Sequence, residues 1–460
     1  MYILDTIAAI ATPLGAGGIG IVRVSGPDSE SIGKLIFSGS KKIIGGGFES
    51  HRLFYGRFFH PSDGFLIDEG MLVLMRAPRS YTREDVLELH CHGGYLIVSK
   101  LLDACVAAGA RLAEPGEFTR RAFLNGRIDL AQAESISDII SSSTDRSLAL
   151  AQSQREGHLS RSLAELRSPL IDALALVEAY IDFPEDEVDP LVIGAVLDRI
   201  AAVRSSLQKL LDTFTTAKVL REGVSVLLLG RPNAGKSSLL NALTGTERAI
   251  VSHLPGTTRD LIEETVSLYG LPVKIIDAAG IRSHHFDSVE QEGVRRALDK
   301  VGSADLILLL IDGSKPVLNE DLELASNLGK TPYLLVLTKS DLPHMVDTAK
   351  FENAIGICPV SAKQAVGIND LTMFIYDYFV SSSVVSSDGV ALVSTVRHRD
   401  ILLRAFSSLE RFSYNQLINS PPELLSLDLR EALSALGEIT GETTADELLD
   451  LIFSSFCIGK

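Results

Sequence analysis

Residues 230–237 constrain the fold of this chain more than any other stretch. They read GRPNAGKS, follow the apolar run VSVLLLG and precede a stretch of helical periodicity. This is the P-loop pattern in the strand, glycine-rich turn and helix that it requires. In such a loop the backbone N–H groups surround phosphate oxygens and the helix N-terminus adds positive potential. We therefore expect a nucleoside triphosphate here, with Lys236 at its β- and γ-phosphates and Ser237 on Mg²⁺.

Two further motifs predict how the γ-phosphate is sensed. GTT at 256–258 supplies Thr258, a second Mg²⁺ ligand that responds to the γ-phosphate. DAAG at 277–280 ends a predicted strand, with Asp277 holding Mg²⁺ through water and the Gly280 amide contacting the γ-phosphate. Lys236, Thr258 and Gly280 are therefore the candidate catalytic residues.

The last two motifs predict which base is bound. TKSD at 338–341 ends another strand, where Asp341 can accept hydrogen bonds from N1–H and the exocyclic amine of guanine. Adenine lacks both donors and would leave a buried carboxylate unpaired, so the sequence favours GTP over ATP. SAK at 361–363 offers a backbone amide to the guanine carbonyl. The residues expected to contact GTP are Asn233, Ala234, Gly235, Lys236, Ser237, Ser238, Ser252, His253, Leu254, Pro255, Gly256, Thr257, Thr258, Asp277, Ala278, Ala279, Gly280, Thr338, Lys339, Ser340, Asp341, Ser361, Ala362 and Lys363.

Hydrophobic periodicity divides the rest of the chain. The first 121 residues mix β-type runs, such as 19–26 and 70–78, with a helix over 96–108, which predicts an α+β N-terminal domain. Helical stripes follow, one of them formed by Val196, Ile200, Val203 and Leu207. Apolar strands then alternate with helices, which indicates a mostly parallel sheet. The predicted fold is thus multidomain, with an all-α helical domain in two parts (122–221 and 383–460) and an inserted α/β GTPase domain (222–382).

Composition limits the surroundings in which the chain works. The chain has 460 residues and a net charge of −16. This charge argues against non-specific binding to nucleic acid or to an anionic membrane, although it does not exclude a local basic face. The four cysteines form no C-x-x-C pair, which fits a reduced compartment. The apolar start of the chain has no basic leader and its apolar runs are too short to span a bilayer. We expect a cytoplasmic protein without membrane contact.

The whole chain resembles the tRNA modification GTPase family MnmE, also called TrmE. The segments that carry the resemblance are DTIAAIATPLGAGGIGIVRVSG (5–26), YTREDVLELHCHGG (81–94), PGEFTRRAFLNGRIDLAQAES (115–135), LGEITGETTADELL (436–449) and IFSSFCIGK (452–460). The resemblance implies a GTPase that works with a flavoprotein partner, as a heterotetramer, on the wobble uridine of certain tRNAs. The uridine C5 would receive an aminomethyl or carboxymethylaminomethyl group.

The same resemblance implies a cofactor and an oligomeric state. The family's N-terminal domain binds a tetrahydrofolate derivative (5-formyl- or 5,10-methylene-) as one-carbon donor and forms a homodimer. The folate contacts carried over by motif are Arg23, Glu88, Arg127 and Lys460. A pterin ring offers N–H donors to a carboxylate, and its glutamate tail suits arginine. Cys457 matches the family's functionally sensitive tail cysteine.

The resemblance also implies that potassium activates hydrolysis. Asn233 matches the family's K⁺ ligand, and Ser252, Leu254 and Thr257 would add backbone and hydroxyl oxygens. K⁺ would then stabilise transition-state charge where other GTPases insert an arginine, with two GTPase domains facing each other across the dimer.

Three positions depart from the family pattern. Ala278 replaces a threonine and Thr338 an asparagine. Ser283 stands where the family has the glutamate that positions the attacking water. Either Glu290 or Glu292 substitutes for it, or hydrolysis is slower.

Plainer interpretations remain for the N-terminal and tail residues. Arg23 could be a surface arginine, Glu88 could lie on the polar face of an edge strand, and Cys457 could be a buried small residue. His90 and His92 flank Cys91 at strand spacing, so all three cannot point one way, which argues against a metal site. Three arginines could form either a solvated face or a tRNA phosphate contact; they are Arg120, Arg121 and Arg127.

Two rival functions fit parts of the sequence. One is a regulatory switch, such as a ribosome-assembly GTPase, whose flanking domains only bind partners. The other is an ATP-driven machine. The folate-like N-terminal segment and the terminal CIGK separate the leading hypothesis from the first rival, and the guanine motif separates it from the second.

Overall fold

The computed structural model describes residues 5–39, 47–182, 190–246, 249–250, 263–277, 300–380, 391–418, 420–454 and 456–459. Met1–Ser137 and Leu433–Lys460 belong to one compact unit, and Asp138–Ala432 to the other. The four predicted domain segments divide the chain at other points and stay predictions.

A seven-stranded sheet forms the centre of the first unit. Its strands are β1 Ile7–Ile10, β2 Gly17–Ser25, β3 Phe37–Gly39, β4 Leu53–Phe59, β5 Leu66–Met75, β6 Val86–Gly93 and β7 Arg111–Leu112. Their order across the sheet is β3-β4-β5-β6-β2-β1-β7, and β1 pairs with β7 in parallel while the other pairs are antiparallel. The two strands predicted at 19–26 and 70–78 correspond to β2 and β5.

One face of this sheet is covered by helices. The helices of the unit are α1 Ser29–Ile36, α2 Tyr95–Ala107, α3 Glu117–Leu124, α4 Leu130–Ser141 (its first part), α13 Pro422–Thr440 (its last part) and α14 Asp446–Ser454. Val22, Leu72 and Leu89 point to the covered face and share a core with Ile32 of α1 and Leu101 of α2. This alternation along each strand is typical of an antiparallel sheet with one buried face. The helix predicted over 96–108 is α2.

The strand register aligns two rows of side chains on the other face. Tyr55, Met71, His90 and Ile21 are successive neighbours across β4, β5, β6 and β2. The next row is formed by Leu53, Val73, Glu88 and Arg23. At the β1 side, Phe118 of α3 packs on Ile7 and Ala9 and covers this face locally.

The second unit combines long helices with a second sheet. Its helices are α5 Asp145–Arg155, α6 His158–Asp182, α7 Pro190–Asp212, α8 Phe214–Glu222, α9 Lys236–Thr246, α10 Asn319–Ser326, α11 Ile368–Phe379 and α12 Val396–Leu417, with the remaining parts of α4 and α13. The predicted stripe Val196, Ile200, Val203 and Leu207 is buried along α7, which confirms the helical period there.

The second sheet is mostly parallel. Its strands are β8 Val224–Gly230, β9 Ala249–Ile250, β10 Glu263–Leu268, β11 Leu271–Asp277, β12 Leu306–Asp312, β13 Tyr333–Thr338 and β14 Ile357–Val360. The order is β14-β13-β12-β8-β11-β10-β9, parallel from β14 to β11 and antiparallel at β10 and β9. The predicted mostly parallel sheet is therefore present. Because both faces are buried, β12 reads as an unbroken apolar run before its terminal aspartate.

The helices α5 and α8 pack on this sheet as well. Leu150 of α5 and Leu220 of α8 share one buried core with Leu268 and Leu271. Within the described ranges, no helix combines the length and apolar character needed to cross a membrane.

Candidate functional site

The P-loop connects the central strand β8 to α9. Gly235 has φ +96° and Asn233 has φ +62°, so the chain curls through the left-handed region twice. Gly230 allows close packing, since a Cβ there would lie 2.6 Å from the carbonyl oxygen of Leu310. These conformations place the loop at the carboxyl edge of the sheet.

Lys236 reaches back over the loop. Its Nζ donates hydrogen bonds to the carbonyl oxygens of Gly230 at 2.6 Å and Arg231 at 2.9 Å. Ser237 follows in the first turn of α9 and is exposed. The ammonium and the helix N-terminus together give this loop the positive character that phosphate binding requires.

The base motif lies at the end of β13. Lys339 has φ +57°, which turns the chain sharply after Thr338. Asp341 is exposed rather than buried, and its Oδ1 accepts a 2.7 Å hydrogen bond from Ser361 Oγ. That hydrogen bond lowers the pKa of Asp341, so the carboxylate is ionised and able to accept from guanine.

Thr338 links the base motif to the P-loop. Its hydroxyl lies 2.8 Å from the carbonyl oxygen of Ala234 and 3.1 Å from that of Ile311. The residue is buried, and one hydroxyl hydrogen serves these two acceptors. The departure from the family's asparagine therefore leaves a polar tie between the two motifs.

Ser361 orders the third part of the guanine site. It is buried, exchanges backbone hydrogen bonds with Val366, and its Oγ also accepts from the Gln364 amide at 3.3 Å. Ala362 and Lys363 follow it at the surface of the same turn. The structure thus brings the P-loop, TKSD and SAK segments to one edge of the sheet, after β8, β13 and β14.

Several predicted site residues lie outside the described residues. They are Ser252, His253, Leu254, Pro255, Gly256, Thr257, Thr258, Ala278, Ala279, Gly280, Ser283, Glu290, Glu292 and Lys460. For Asp277 the backbone at the end of β11 is described.

A cavity of about 760 Å³ lies beside the P-loop but on its α10 side. Its lining includes Arg231, Asn233, Asp312 and Glu320, and Arg231 Nε bonds Glu320 at 2.6 Å. Lys236 and Asp341 are not among its lining residues. The cavity is therefore adjacent to the nucleotide site and is not the site itself.

The second candidate site lies on the outer face of the first sheet. Arg23 Nε donates to Glu88 Oε1 at 2.9 Å, and Arg23 Nη1 donates to the carbonyl oxygen of Gly459 at 3.2 Å. The Arg23 guanidinium lies 5.6 Å from the centre of the Tyr81 ring, and that of Arg127 lies 4.9 Å from it. Arg127 also donates to the Tyr81 carbonyl at 2.6 Å. Two of the residues predicted from the resemblance, Arg23 and Arg127, thus lie against one aromatic ring, and a third, Glu88, pairs with Arg23.

Glu88 lies in the interior of the sheet. Because β6 lies between β5 and β2, the interpretation of Glu88 as an edge-strand residue is wrong. The pKa of Glu88 is lowered first by His90, whose Nε2 is 3.5 Å away, and then by the Arg23 charge, which together outweigh the effect of burial. Glu88 is therefore a partly buried, ionised acceptor.

Two of the three clustered arginines are held in ion pairs. Arg121 is buried with carboxylates of Asp5 and Glu84, and Arg120 Nη2 pairs with Asp450 at 2.8 Å. The interpretation as a solvated face or a tRNA phosphate contact is thus wrong for Arg121, because a buried guanidinium surrounded by carboxylates cannot reach a phosphate. Cys457 is exposed, so its interpretation as a buried residue is wrong too.

Sequence reasoning missed two residues of these sites. Tyr81 lies between Arg23 and Arg127, and Asp312 ends β12 between the P-loop and the base motif. Asp312 could have been found from the sequence, because it ends an apolar run and the carboxyl ends of parallel strands meet at one edge of a sheet. No local pattern could have identified Tyr81, because its partners Arg23 and Arg127 come from distant segments.

Comparisons with known proteins identify the family of the whole chain. Residues 130–457 match the family model "MnmE helical domain", and residues 6–127 match "GTP-binding protein TrmE N-terminus". The tRNA modification GTPase MnmE of Geobacter sulfurreducens is 51% identical over 460 residues, covering 100% of both chains. The chain belongs to the MnmE family of tRNA modification GTPases.

Other members match over the same length. The MnmE of Levilactobacillus brevis is 43% identical, covering 99% of this chain and 98% of its own. Among solved structures, the G domain of the T. maritima FeoB iron transporter is 30% identical, covers 34% of this chain and 98% of its own, and has a TM-score of 0.26. Membership of the family makes this chain a GTPase.

Proposed function

We propose that this GTPase is activated by potassium and that hydrolysis is coupled to modification of C5 of a tRNA wobble uridine. The product would carry an aminomethyl or carboxymethylaminomethyl group. A flavoprotein partner and a tetrahydrofolate derivative would take part, in the cytoplasm. The observation that carries this proposal is that Arg23 bonds both Glu88 and the Gly459 carbonyl, while Arg23 and Arg127 lie against the Tyr81 ring.

The residues of this cluster fit a folate. A pterin is flat and carries amine and N–H groups on one edge. The ionised Glu88 can accept hydrogen bonds from these groups. The Tyr81 ring provides a flat apolar surface, and Arg127 provides charge for an anionic glutamate tail. Lys460 follows Gly459 directly and would add a second cation. The folate supplies a one-carbon unit when bound, and these residues bind and orient it.

The P-loop fits the two proposed ions. Ser237, in the first turn of α9, and Thr258 would hold Mg²⁺, while Asn233, Ser252, Leu254 and Thr257 would hold K⁺. Asn233 is exposed in a left-handed turn at the mouth of the loop, where its side-chain oxygen is available. K⁺ there would offset charge that develops on the phosphates.

We also propose that the chain forms a homodimer through the outer face of the first sheet. Tyr55, Met71 and Leu53 are exposed apolar residues on this face, in the same two rows as His90 and the Arg23–Glu88 pair. An apolar patch of this kind favours association with another protein surface. The flavoprotein and tRNA would bind the resulting assembly.

The folate proposal can be tested by calorimetric titration of the full chain with 5-formyltetrahydrofolate. We expect binding by the wild type and at least tenfold weaker binding by Glu88→Gln. The neutral amide forms weaker hydrogen bonds with N–H donors than the charged carboxylate does. Glu49→Gln, at an exposed glutamate paired with Arg52, should bind as the wild type does. If the wild type binds no folate, the regulatory GTPase becomes the better explanation of the structure.

The potassium proposal is tested by initial rates of GTP hydrolysis at equal ionic strength. We expect faster turnover in KCl than in NaCl, and no comparable turnover of ATP. Equal rates in the two salts would remove the role of K⁺.

A further inference from the structure

Asp312 is a carboxylate that the five nucleotide motifs do not include. It ends β12, which lies between β8 and β13, and its side chain is only 12% exposed. Its Oδ2 lies 2.6 Å from Lys339 Nζ. Its Oδ1 accepts from the hydroxyl of Ser314 at 2.6 Å and from the Ser314 amide at 3.1 Å. Both carboxylate oxygens are therefore fixed.

Lys339 is the residue that Asp312 holds. The left-handed turn at Lys339, φ +57°, directs the chain away from β13, yet its ammonium reaches the end of the neighbouring strand β12. The side chain thus runs along the carboxyl edge of the sheet, and 39% of it is exposed.

A bound guanine nucleotide has to cross this stretch of the edge. Its phosphates belong at the P-loop after β8, and its base belongs at Asp341 after β13, so β12 lies between them. Neighbouring strands are about 4.8 Å apart, so the two ends of the nucleotide are anchored about 10 Å apart. The ribose and the inner edge of the base must therefore pass over the methylene stem of Lys339.

We propose that Asp312 is a positioning residue, which fixes the Lys339 stem as the floor of the guanosine site. A lysine side chain has four rotatable bonds, and ordering it on binding costs free energy unless it is held beforehand. The pair with Asp312 and the Ser314 hydrogen bonds provide that preorganisation.

The ionisation state of Asp312 agrees with this role. Burial raises the pKa of Asp312, but the hydrogen bonds from Lys339 and Ser314 outweigh it and lower the pKa to about 2. The carboxylate is therefore charged at every pH at which the GTPase can be assayed.

The test measures nucleotide binding and turnover of the full chain with Mg²⁺ and K⁺ present. Asp312→Asn keeps the size of the side chain and loses its charge, and we expect about tenfold weaker binding of fluorescent GDP and GTP analogues. KM for GTP should rise by a similar factor, while kcat stays within about twofold, since Asp312 touches no reacting atom.

A double-mutant cycle separates positioning from a general loss of structure. Lys339→Met should weaken binding, and the double variant should bind no more weakly than the weaker single variant. Lys339→Arg, which can keep the ion pair with Asp312, should lose less affinity than Lys339→Met, and this comparison does not depend on how Asp312 variants fold. Additive effects of Asp312→Asn and Lys339→Met, or unchanged affinity in Asp312→Asn, overturn the proposal.

Two control positions are available, one at the opposite end of β12 and one at a second lysine near Asp312. Asp305 precedes β12 at its opposite end and accepts from the Ser225 amide at 2.8 Å, so Asp305→Asn should bind nucleotide like the wild type. Lys315 Nζ lies 3.6 Å from Asp312, and Lys315→Met should also leave affinity unchanged. A loss of affinity in Lys315→Met equal to that in Asp312→Asn would assign the effect to Lys315 and overturn the role of Lys339.

Discussion

At the scale of single residues, Arg121 shows how a conspicuous charge can serve the fold. Its side chain is 3% exposed, with Nη2 2.6 Å from Asp5 Oδ1 and Nη1 3.1 Å from Glu84 Oε2. Glu117 lies 3.4 Å away and also pairs with Arg111. The guanidinium therefore ties the start of the chain to α3. Buried charges of this kind are stable only as a complete set.

We predict that Arg121→Met lowers the free energy of unfolding of the first unit by about 3–5 kcal/mol at pH 7. The substitution leaves the carboxylates of Asp5 and Glu117 partly buried with less compensating charge. Urea unfolding followed by circular dichroism measures the effect. Arg52→Met removes an exposed pair with Glu49 and should change stability by less than about 1 kcal/mol.

The same variant should show a defined pH dependence. Hydrogen bonds from Arg111 and Arg121 lower the pKa of Asp5 in spite of burial. Burial raises the pKa of Glu117, but the Arg111 and Glu114 hydrogen bonds and the charges of Arg111 and Arg121 outweigh it, so this pKa is also lowered. Carboxylates with lowered pKa contribute stability above their ordinary pKa of about 4, and this is lost as pH falls through the folded-state pKa. The difference between wild type and Arg121→Met should thus shrink below about pH 4. A difference that stays constant from pH 7 to pH 3 would contradict the ion-pair account.

At the scale of elements, the β10–β11 hairpin is joined to helix α5. Thr144, which caps α5, lies with its Oγ1 2.8 Å from the carbonyl oxygen of Gly270 at the hairpin turn. Arg146 packs over the Tyr376 ring at 5.2 Å and bonds its hydroxyl. Because β10 follows the 256–258 motif and β11 ends at Asp277, the hairpin that connects the two γ-phosphate motifs is anchored to a helix outside the predicted GTPase segment.

Gly270 is the residue whose change should loosen this junction. It has φ +88°, and a Cβ there would lie 2.6 Å from Arg146 Cγ. We predict that Gly270→Ala destabilises the second unit by about 1–3 kcal/mol, from left-handed strain and displacement of Arg146. Thermal unfolding of the nucleotide-free chain measures this. Gly302→Ala has open space around its Cβ and serves as the matched control, and equal melting temperatures for the two variants would argue against a tight junction.

At the scale of the whole molecule, the outer face of the first sheet should control association. Tyr55 is 67% exposed at the β4 end of its row, next to Met71, so Tyr55→Glu should convert the proposed dimer into monomers at micromolar concentration. Light scattering after size exclusion measures the mass. Tyr414→Glu changes a tyrosine on α12 that is 63% exposed, and it should leave the mass unchanged. A monomeric wild type, or a dimeric Tyr55→Glu, would place the interface elsewhere.

Much of the nucleotide site followed from sequence because its parts are local. The residues 230–237 need only their neighbours to form a strand, a turn and a helix, and the TKSD and SAK segments end strands whose apolar runs identify them. Periodicity also located β2, β5, α2 and the buried stripe of α7. Local backbone sterics and the alternation of apolar residues carry this information.

The tertiary structure alone decided which charged groups meet. Arg23 on β2 and Gly459 near the C-terminus are 436 positions apart. The register of β2 against β6 places Arg23 opposite Glu88, and the C-terminal residues return to the first unit, where Gly459 meets Arg23. Likewise Arg121 and Arg127 are close in sequence, yet one is buried among carboxylates and the other packs on Tyr81. A side chain's type fixes what it can bind, whereas its partner depends on strand order and packing between distant segments, which no local pattern encodes.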